Sequence, residues 1–278
     1  MQIFLDTANV EEIKEAVSWG CVSGATTNPK IMSYEKPGYS FEEKIKKIIQ
    51  IVKNPVSVEV TAEDFEGMVN EAEEYASWDE NIVIKIPMGK EGLKAVNILE
   101  KEGIKTNVTA IMAVNQAILA ALSGASYASI FYGRVCDLGY DAFEVIKKTT
   151  ELFRLHQVPT KIIVGSIRTL LDINRAFLAG ADIVTVPFKF LKMMTENLQT
   201  EATVKEFNNV WKEMRETGAI RLEPKERVFS TPLRKVPFGS EPSFDAESQD
   251  EAQGRRQDVV QKTQHPKHSR TSLSFVKK

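Results

Sequence analysis

Short apolar runs rich in β-branched residues recur along the first 220 residues: QIFLD (2–6), VSGAT (22–26), VSVEV (56–60), IVIKI (82–86), KTNVT (105–109), YASIF (127–131), KIIVG (161–165) and DIVTV (182–186). Each is followed by a stretch with apolar residues at helical spacing, clearest in FEEKIKKIIQIV (41–52) and EDFEGMVNEAEEYA (63–76). Starts and stops are marked. Asn9 with Glu12 three residues on has the form of a capping box. Gly20, Gly103, Gly124 and Gly180 each close a helical stretch just before the next strand, where a positive φ is wanted. Alternating strands and helices imply parallel pairing through right-handed crossovers, and eight such units in about 200 residues predict an α/β protein of the (β/α)8 TIM-barrel type. An open doubly wound sheet would call for a glycine-rich phosphate loop after an early strand, and no G-x-G-x-x-G occurs. VKEFNNVWKEMRETGA (204–219) reads as a terminal helix.

The pattern breaks near residue 221, and with it the charge. Residues 1–220 carry 24 Lys+Arg against 30 Asp+Glu, whereas residues 221–278 carry 12 against 8 and show no sustained period. We therefore divide the chain into a barrel with its C-terminal helix, 1–220, and a low-complexity tail, 221–278, expected to be disordered. A basic arm for nucleic acid or membrane is disfavoured, because the excess is only four charges and no aromatic residues interleave with a basic cluster. The opening MQIFLDTANV lacks a basic segment followed by an apolar one, and no run approaches the roughly 18 apolar residues of a membrane span. No membrane association is expected, and a cytoplasmic location follows. Cys21 and Cys136 read as free thiols in a reducing compartment. With three histidines and no ligand spacing, no metal site is expected, and His156, at the end of a helical pattern, reads as structural.

Lys85 is the odd residue: a lysine between Ile84 and Ile86 inside an apolar run. It could lay its methylenes along apolar surface and keep its charge in water. It could also be a desolvated amine able to attack a carbonyl. A barrel places the ends of all its strands on one rim, where this fold builds active sites. The polar residues at those ends are Asp6, Asn28, Glu59, Lys85, Asn107, Thr109, Ser129, Arg134, Ser166 and Arg168. Each alone has an ordinary explanation, such as a cap, a strand residue or a solvated charge. Seven strand ends carrying such groups in nearly the same register point to one functional site, with Lys85 between carboxylates.

These residues lie in motifs that resemble the transaldolase family. They are LDTAN with Asp6, TTNP with Asn28, VSVEV with Glu59, IVIKIP with Lys85, TNVTA with Asn107 and Thr109, SIFYGR with Ser129, Phe131 and Arg134, and GSIRT with Ser166 and Arg168. The resemblance runs from residue 1 to about 218, and in length it is to the small subfamily that also holds fructose-6-phosphate aldolases. It implies a class I enzyme, free of metal and cofactor, that moves a dihydroxyacetone unit between sugar phosphates in the pentose phosphate pathway. By resemblance Lys85 forms the Schiff base, Asp6 handles the proton of the C4 hydroxyl, and Glu59 shuttles a second proton through a water held by Thr109. Asn28, Asn107 and Ser129 would hold dihydroxyacetone hydroxyls, while Arg134, Arg168 and Ser166 would take the phosphate. In the aldolases of the subfamily a glutamine stands at the position of Glu59 and a tyrosine at that of Phe131, so both residues here are of the transaldolase type. Release of free dihydroxyacetone by an aldolase is the alternative, and a non-catalytic sugar-phosphate-binding relative is a further one. Relatives of this size are commonly decamers, so a homo-oligomer is expected.

Overall fold

A computed structural model describes residues 1–35 and 38–220; the expectation for residues 221–278 lies outside the described residues. Each β-branched run becomes a strand followed by helix. The first half runs β1 (Gln2–Asp6), α1 (Val10–Ser18), β2 (Val22–Thr26), α2 (Pro29–Met32), α3 (Phe41–Val52), β3 (Val56–Glu59), α4 (Phe65–Ala76), β4 (Ile82–Pro87) and α5 (Lys90–Lys101). The second runs β5 (Thr106–Ile111), α6 (Val114–Leu122), β6 (Tyr127–Phe131), α7 (Tyr132–Asp137), α8 (Ala142–Leu155), β7 (Lys161–Gly165), α9 (Leu170–Leu178), β8 (Ile183–Val186), α10 (Phe188–Met193) and α11 (Leu198–Glu216). The strands pair in chain order, all parallel, and β8 returns to β1 through Gln2–Ile183 to Leu5–Val186, closing the expected barrel.

The main core lies between sheet and helices. Outward-facing Val58, Ile84, Ile86, Val108, Ile130, Ile162 and Val184 meet helix residues such as Ile13, Ile45, Ile48, Leu99, Ile146 and Ile173, all buried. Each such side chain contributes about 1.5–3 kcal/mol by leaving water, which is why the strands read as continuous apolar runs rather than alternating ones. Inside the barrel, Phe4, Ile163 and Ile183 form a separate small cluster with Tyr127. A Cβ at Gly24 would lie 2.5 Å from the Phe4 ring, so glycine there is what lets the ring fill the axis. Two residues further along each strand, on the same inward face, come Asp6, Gly165, Thr185 and Ser129. An apolar floor thus carries a polar upper storey.

Gly20, Gly103, Gly124 and Gly180 have φ of +76°, +83°, +95° and +95°, as their places at helix ends predict. The capping box at Asn9 forms in a relayed version. Asn9 accepts from the N–H groups of Glu11 and Glu12, but the Glu12 carboxylate reaches the Thr7 hydroxyl (2.6 Å), which in turn accepts from the Asn9 N–H. The terminal helix starts earlier than the apolar spacing indicates, capped by Asn197, and none of its residues is buried. Barrel, surrounding helices and α11 form one compact unit, Met1–Thr217.

Candidate active site

Parallel pairing sets Glu59 opposite Lys85 and Lys85 opposite Asn107 across β3, β4 and β5. The three side chains therefore point together into the barrel. Lys85 is 4% exposed. Its Nζ lies 2.8 Å from Glu59 Oε2, donates to the Thr27 carbonyl at 3.2 Å, and sits 5.9 Å from the centre of the Phe131 ring. Of the two readings of this lysine, the snorkelling one fails: the ammonium is turned inward onto a carboxylate. A buried lysine is tolerated because the pair and the carbonyl replace the water it has lost.

Above Lys85 opens a cavity of about 520 Å³, lined by Asp6, Thr26, Asn28, Lys30, Tyr34, Glu59, Ala110, Ser129, Phe131, Arg134, Gly165, Ser166 and Thr185 among others. Asp6 accepts from the Thr26 hydroxyl at 2.7 Å, and Thr26 Oγ1 lies 2.6 Å from Thr185 Oγ1. With the single Thr26 proton given to Asp6, Thr185 is the donor of the second bond. Burial pushes the Asp6 carboxyl above the ordinary aspartate value, against the opposing pull of Lys85 and the Thr26 hydroxyl, and the Glu59 charge adds to the rise.

Beneath the cavity wall Asn107 is fully buried and spends both ends of its amide: Nδ2 donates to Ser57 Oγ (3.1 Å) and Oδ1 accepts from Ser129 Oγ (2.7 Å). It supports Ser129, which lines the cavity, and does not line it itself. The β5–β6 register slips between Val108 and Ile111, and Ala110 takes φ +60° there. This bulge turns Ala110 to the cavity and leaves Thr109 Oγ1 buried, the one buried side-chain polar atom without a hydrogen-bond partner among the described residues. Asn28 both lines the cavity and caps α2, its Oδ1 accepting from the Ile31 N–H at 2.9 Å.

The two arginines differ. Arg134 lines the cavity beside Ser166, a non-glycine residue at φ +59° whose carbonyl accepts from the Gly133 N–H. Arg168 stands just outside, its guanidinium donating from Nη1 and Nη2 to the two oxygens of Asp137, each at 2.6 Å. The Arg168 hydrogen bonds and the neighbouring charges of Arg168 and Arg134 hold the Asp137 carboxyl below the usual range. Thus eight of the eleven sequence-selected residues line one cavity, while Asn107, Thr109 and Arg168 stand behind it. Sequence reading missed Thr26 and Thr185, which inward alternation from Asp6 would have found, and Asp137, three residues after Arg134 on one helix. Lys30 and Tyr34 come from the α2 turn, where no periodicity marks them. Among the described residues no group of His, Cys, Asp and Glu could hold a metal ion, and no helix is long and apolar enough to cross a membrane.

Fold and site together define a TIM-barrel protein with a lysine–carboxylate centre at the C-terminal ends of its strands. Residues 3–225 match the profile of the family described as Transaldolase/Fructose-6-phosphate aldolase. A protein named probable transaldolase from Thermoanaerobacter sp. is 48% identical over 212 residues, covering 76% of this chain and 97% of its own length. One of the same name from Caldicellulosiruptor saccharolyticus is 47% identical over 215 residues (77% and 98%). Another from Methanococcus vannielii is 48% identical over 211 (76% and 97%). The chain belongs to the transaldolase/fructose-6-phosphate aldolase family.

Proposed function

We propose that this protein is a transaldolase, moving a dihydroxyacetone unit from sedoheptulose 7-phosphate to glyceraldehyde 3-phosphate to give erythrose 4-phosphate and fructose 6-phosphate. The observation that carries the proposal is the 2.8 Å contact between Lys85 Nζ and Glu59 Oε2 on the floor of a cavity that also holds Asp6. An amine must be neutral to attack a carbonyl, and Glu59 is in place to accept the ammonium proton. Lys85 then adds to C2 of the ketose, Glu59 returns the proton as water leaves, and an iminium forms. The iminium draws electrons from the C3–C4 bond. Asp6 takes the proton of the C4 hydroxyl, the bond breaks, and the aldose phosphate departs, leaving an enamine on Lys85. Attack of that enamine on the acceptor aldehyde, with Asp6 giving its proton to the new alkoxide, reverses the steps, and hydrolysis frees the product. A carboxyl raised by burial suits this double duty, since its basicity lies nearer the operating pH.

Ser129, oriented by Asn107, and Asn28 would hold the hydroxyls of the three-carbon unit, and the unpartnered Thr109 hydroxyl suits a water beside Glu59. Arg134 and Ser166 would receive the phosphate, with Arg168 next to them. Phe131 offers the enamine an apolar wall, which favours waiting for an acceptor over protonation and release. The chemistry is assigned to residues 1–220 in the cytoplasm, within the pentose phosphate pathway, with no nucleic-acid partner. A homo-oligomer is supported by α11, whose Leu198, Val204, Phe207, Val210 and Trp211 are exposed.

Borohydride added with fructose 6-phosphate should leave a reduced sugar or dihydroxyacetone mass on the peptide containing residues 81–89, and Lys85→Arg should abolish it. A label on another lysine overturns the mechanism. Fructose 6-phosphate given without erythrose 4-phosphate should yield little free dihydroxyacetone; release as fast as transfer would make the protein a fructose-6-phosphate aldolase.

A further inference from the structure

Asp137 takes no part in the steps above, yet it stands at the centre of the basic end of the site. Its two oxygens accept from Nη1 and Nη2 of Arg168 at 2.6 Å each, and Oδ2 lies 3.8 Å from Nη1 of Arg134. Arg134 and Asp137 sit three residues apart on α7, whereas Arg168 arrives from the turn between β7 and α9. Arg168 is held at both its backbone and its guanidinium. Its backbone N–H donates to Asp172 (2.9 Å), and its guanidinium packs so close to the Gly133 backbone that a Cβ there would lie 2.5 Å from Nε and 2.9 Å from Cζ. The Nη1/Nη2 edge of the fork, with donors spaced for a carboxylate or a phosphoryl group alike, is already taken.

We propose that Asp137 is a specificity-determining residue, a built-in competitor that occupies the arginine pair in the free protein and gives it up to a doubly charged phosphoryl group. The proposal rests on assigning the phosphate to the Arg134–Arg168 side. A phosphate dianion brings more charge and a third oxygen to the two guanidinium groups, so it can displace the aspartate. A singly charged or neutral group cannot, and the exchange thereby rejects unphosphorylated or carboxylate-bearing sugars at some cost in affinity for the right one. The opposite role, in which Asp137 orients Arg168 for phosphate, predicts the opposite sign.

The test uses inorganic phosphate as the probe, titrated calorimetrically at low ionic strength into the full chain and into Asp137→Asn, Arg168→Ala and the double variant. Asparagine keeps the side-chain volume and one acceptor oxygen while removing the charge. Phosphate should bind Asp137→Asn about threefold more tightly than wild type, a modest gain because the residues are exposed and screened. The double variant should bind no better than Arg168→Ala, since the gain passes through that guanidinium. The Michaelis constant for fructose 6-phosphate should fall with the phosphate dissociation constant. Weaker or unchanged phosphate binding by Asp137→Asn overturns the proposal, and so does phosphate binding that none of the four proteins shows. A threefold gain in a protein that forms no adduct on Lys85 would leave this inference standing and remove the transaldolase reading instead.

Discussion

Replacing Glu59 by glutamine tests the centre of the site with a change of one atom. The Lys85–Glu59 contact of 2.8 Å joins side chains that are 5% and 17% exposed. At an effective dielectric of about 20 the attraction at that distance is about 6 kcal/mol, most of it offset by the water both groups gave up. Breaking a buried pair by removing one charge costs about 3–5 kcal/mol. Here the cavity admits water, and a glutamine oxygen can still accept from Nζ, so the expected loss is about 2 kcal/mol. For a chain of this size that is a fall in Tm of about 4–8 °C. Lys85→Met should destabilise by a similar amount, because it strands the carboxylate. The double variant should then lose less than the sum of the singles by about 1–2 kcal/mol, the coupling of residues in direct contact. Thermal unfolding of the four proteins gives the cycle, and borohydride trapping with fructose 6-phosphate adds the chemistry: Glu59→Gln should slow adduct formation about 10²–10⁴-fold by removing the proton acceptor. If the single losses simply add, or if Glu59→Gln traps as fast as wild type, the two side chains do not act as a pair and the reasoning from the 2.8 Å contact fails.

Asp6→Asn should lower the rate of transfer about 10²–10⁴-fold. Because burial raises the folded carboxyl above its unfolded value, its contribution to stability is full below the unfolded value and is lost as pH rises through the folded one; Asp6→Asn should therefore melt above wild type at neutral pH, with the advantage shrinking as pH falls toward the ordinary aspartate range. A melting difference that does not vary with pH contradicts the raised carboxyl. Arg134→Ala should raise the Michaelis constant for fructose 6-phosphate about tenfold or more, and steady-state kinetics showing an unchanged constant would remove Arg134 from the phosphate site. Phe131→Tyr keeps the ring and adds a hydroxyl beside the proposed enamine, so it should raise the release of free dihydroxyacetone without acceptor and lower transfer to erythrose 4-phosphate; coupled assay of both products decides it.

The barrel was legible because a parallel strand buried on both faces writes itself as a β-branched run, and eight such runs between helices leave few topologies. Much of the lining of the candidate site was legible for a related reason. Charged or hydroxyl side chains such as Lys85, Glu59 and Asp6 are rare in such runs, and the fold gathers strand ends on one rim. What escaped depends on spacing across the chain. Glu12 could reach back to Asn9, but Thr7 stands nearer its carboxylate. β5 continues past Thr109 to Ile111 because Ala110 accepts a left-handed backbone that composition does not advertise. Asn107 faces Ser57 and Ser129 rather than the cavity, which follows from the register of three strands and not from its own motif. The salt bridge that holds Arg168 joins residues 31 apart in sequence, and no local pattern announces it.

The apolar floor of Phe4, Ile163, Ile183 and Tyr127 also governs traffic. The Phe4 ring packs against Gly24, and with Ile163 and Ile183 it lies buried one layer below the storey of Asp6, Gly165 and Thr185 that lines the cavity, so the cavity has an apolar floor. Under the proposed chemistry a departing aldose phosphate and an arriving one would share the upper opening, with the three-carbon fragment held on Lys85 below them. Donor and acceptor would then take turns, and initial-rate kinetics with both sugars varied should give the parallel lines of a double-displacement order.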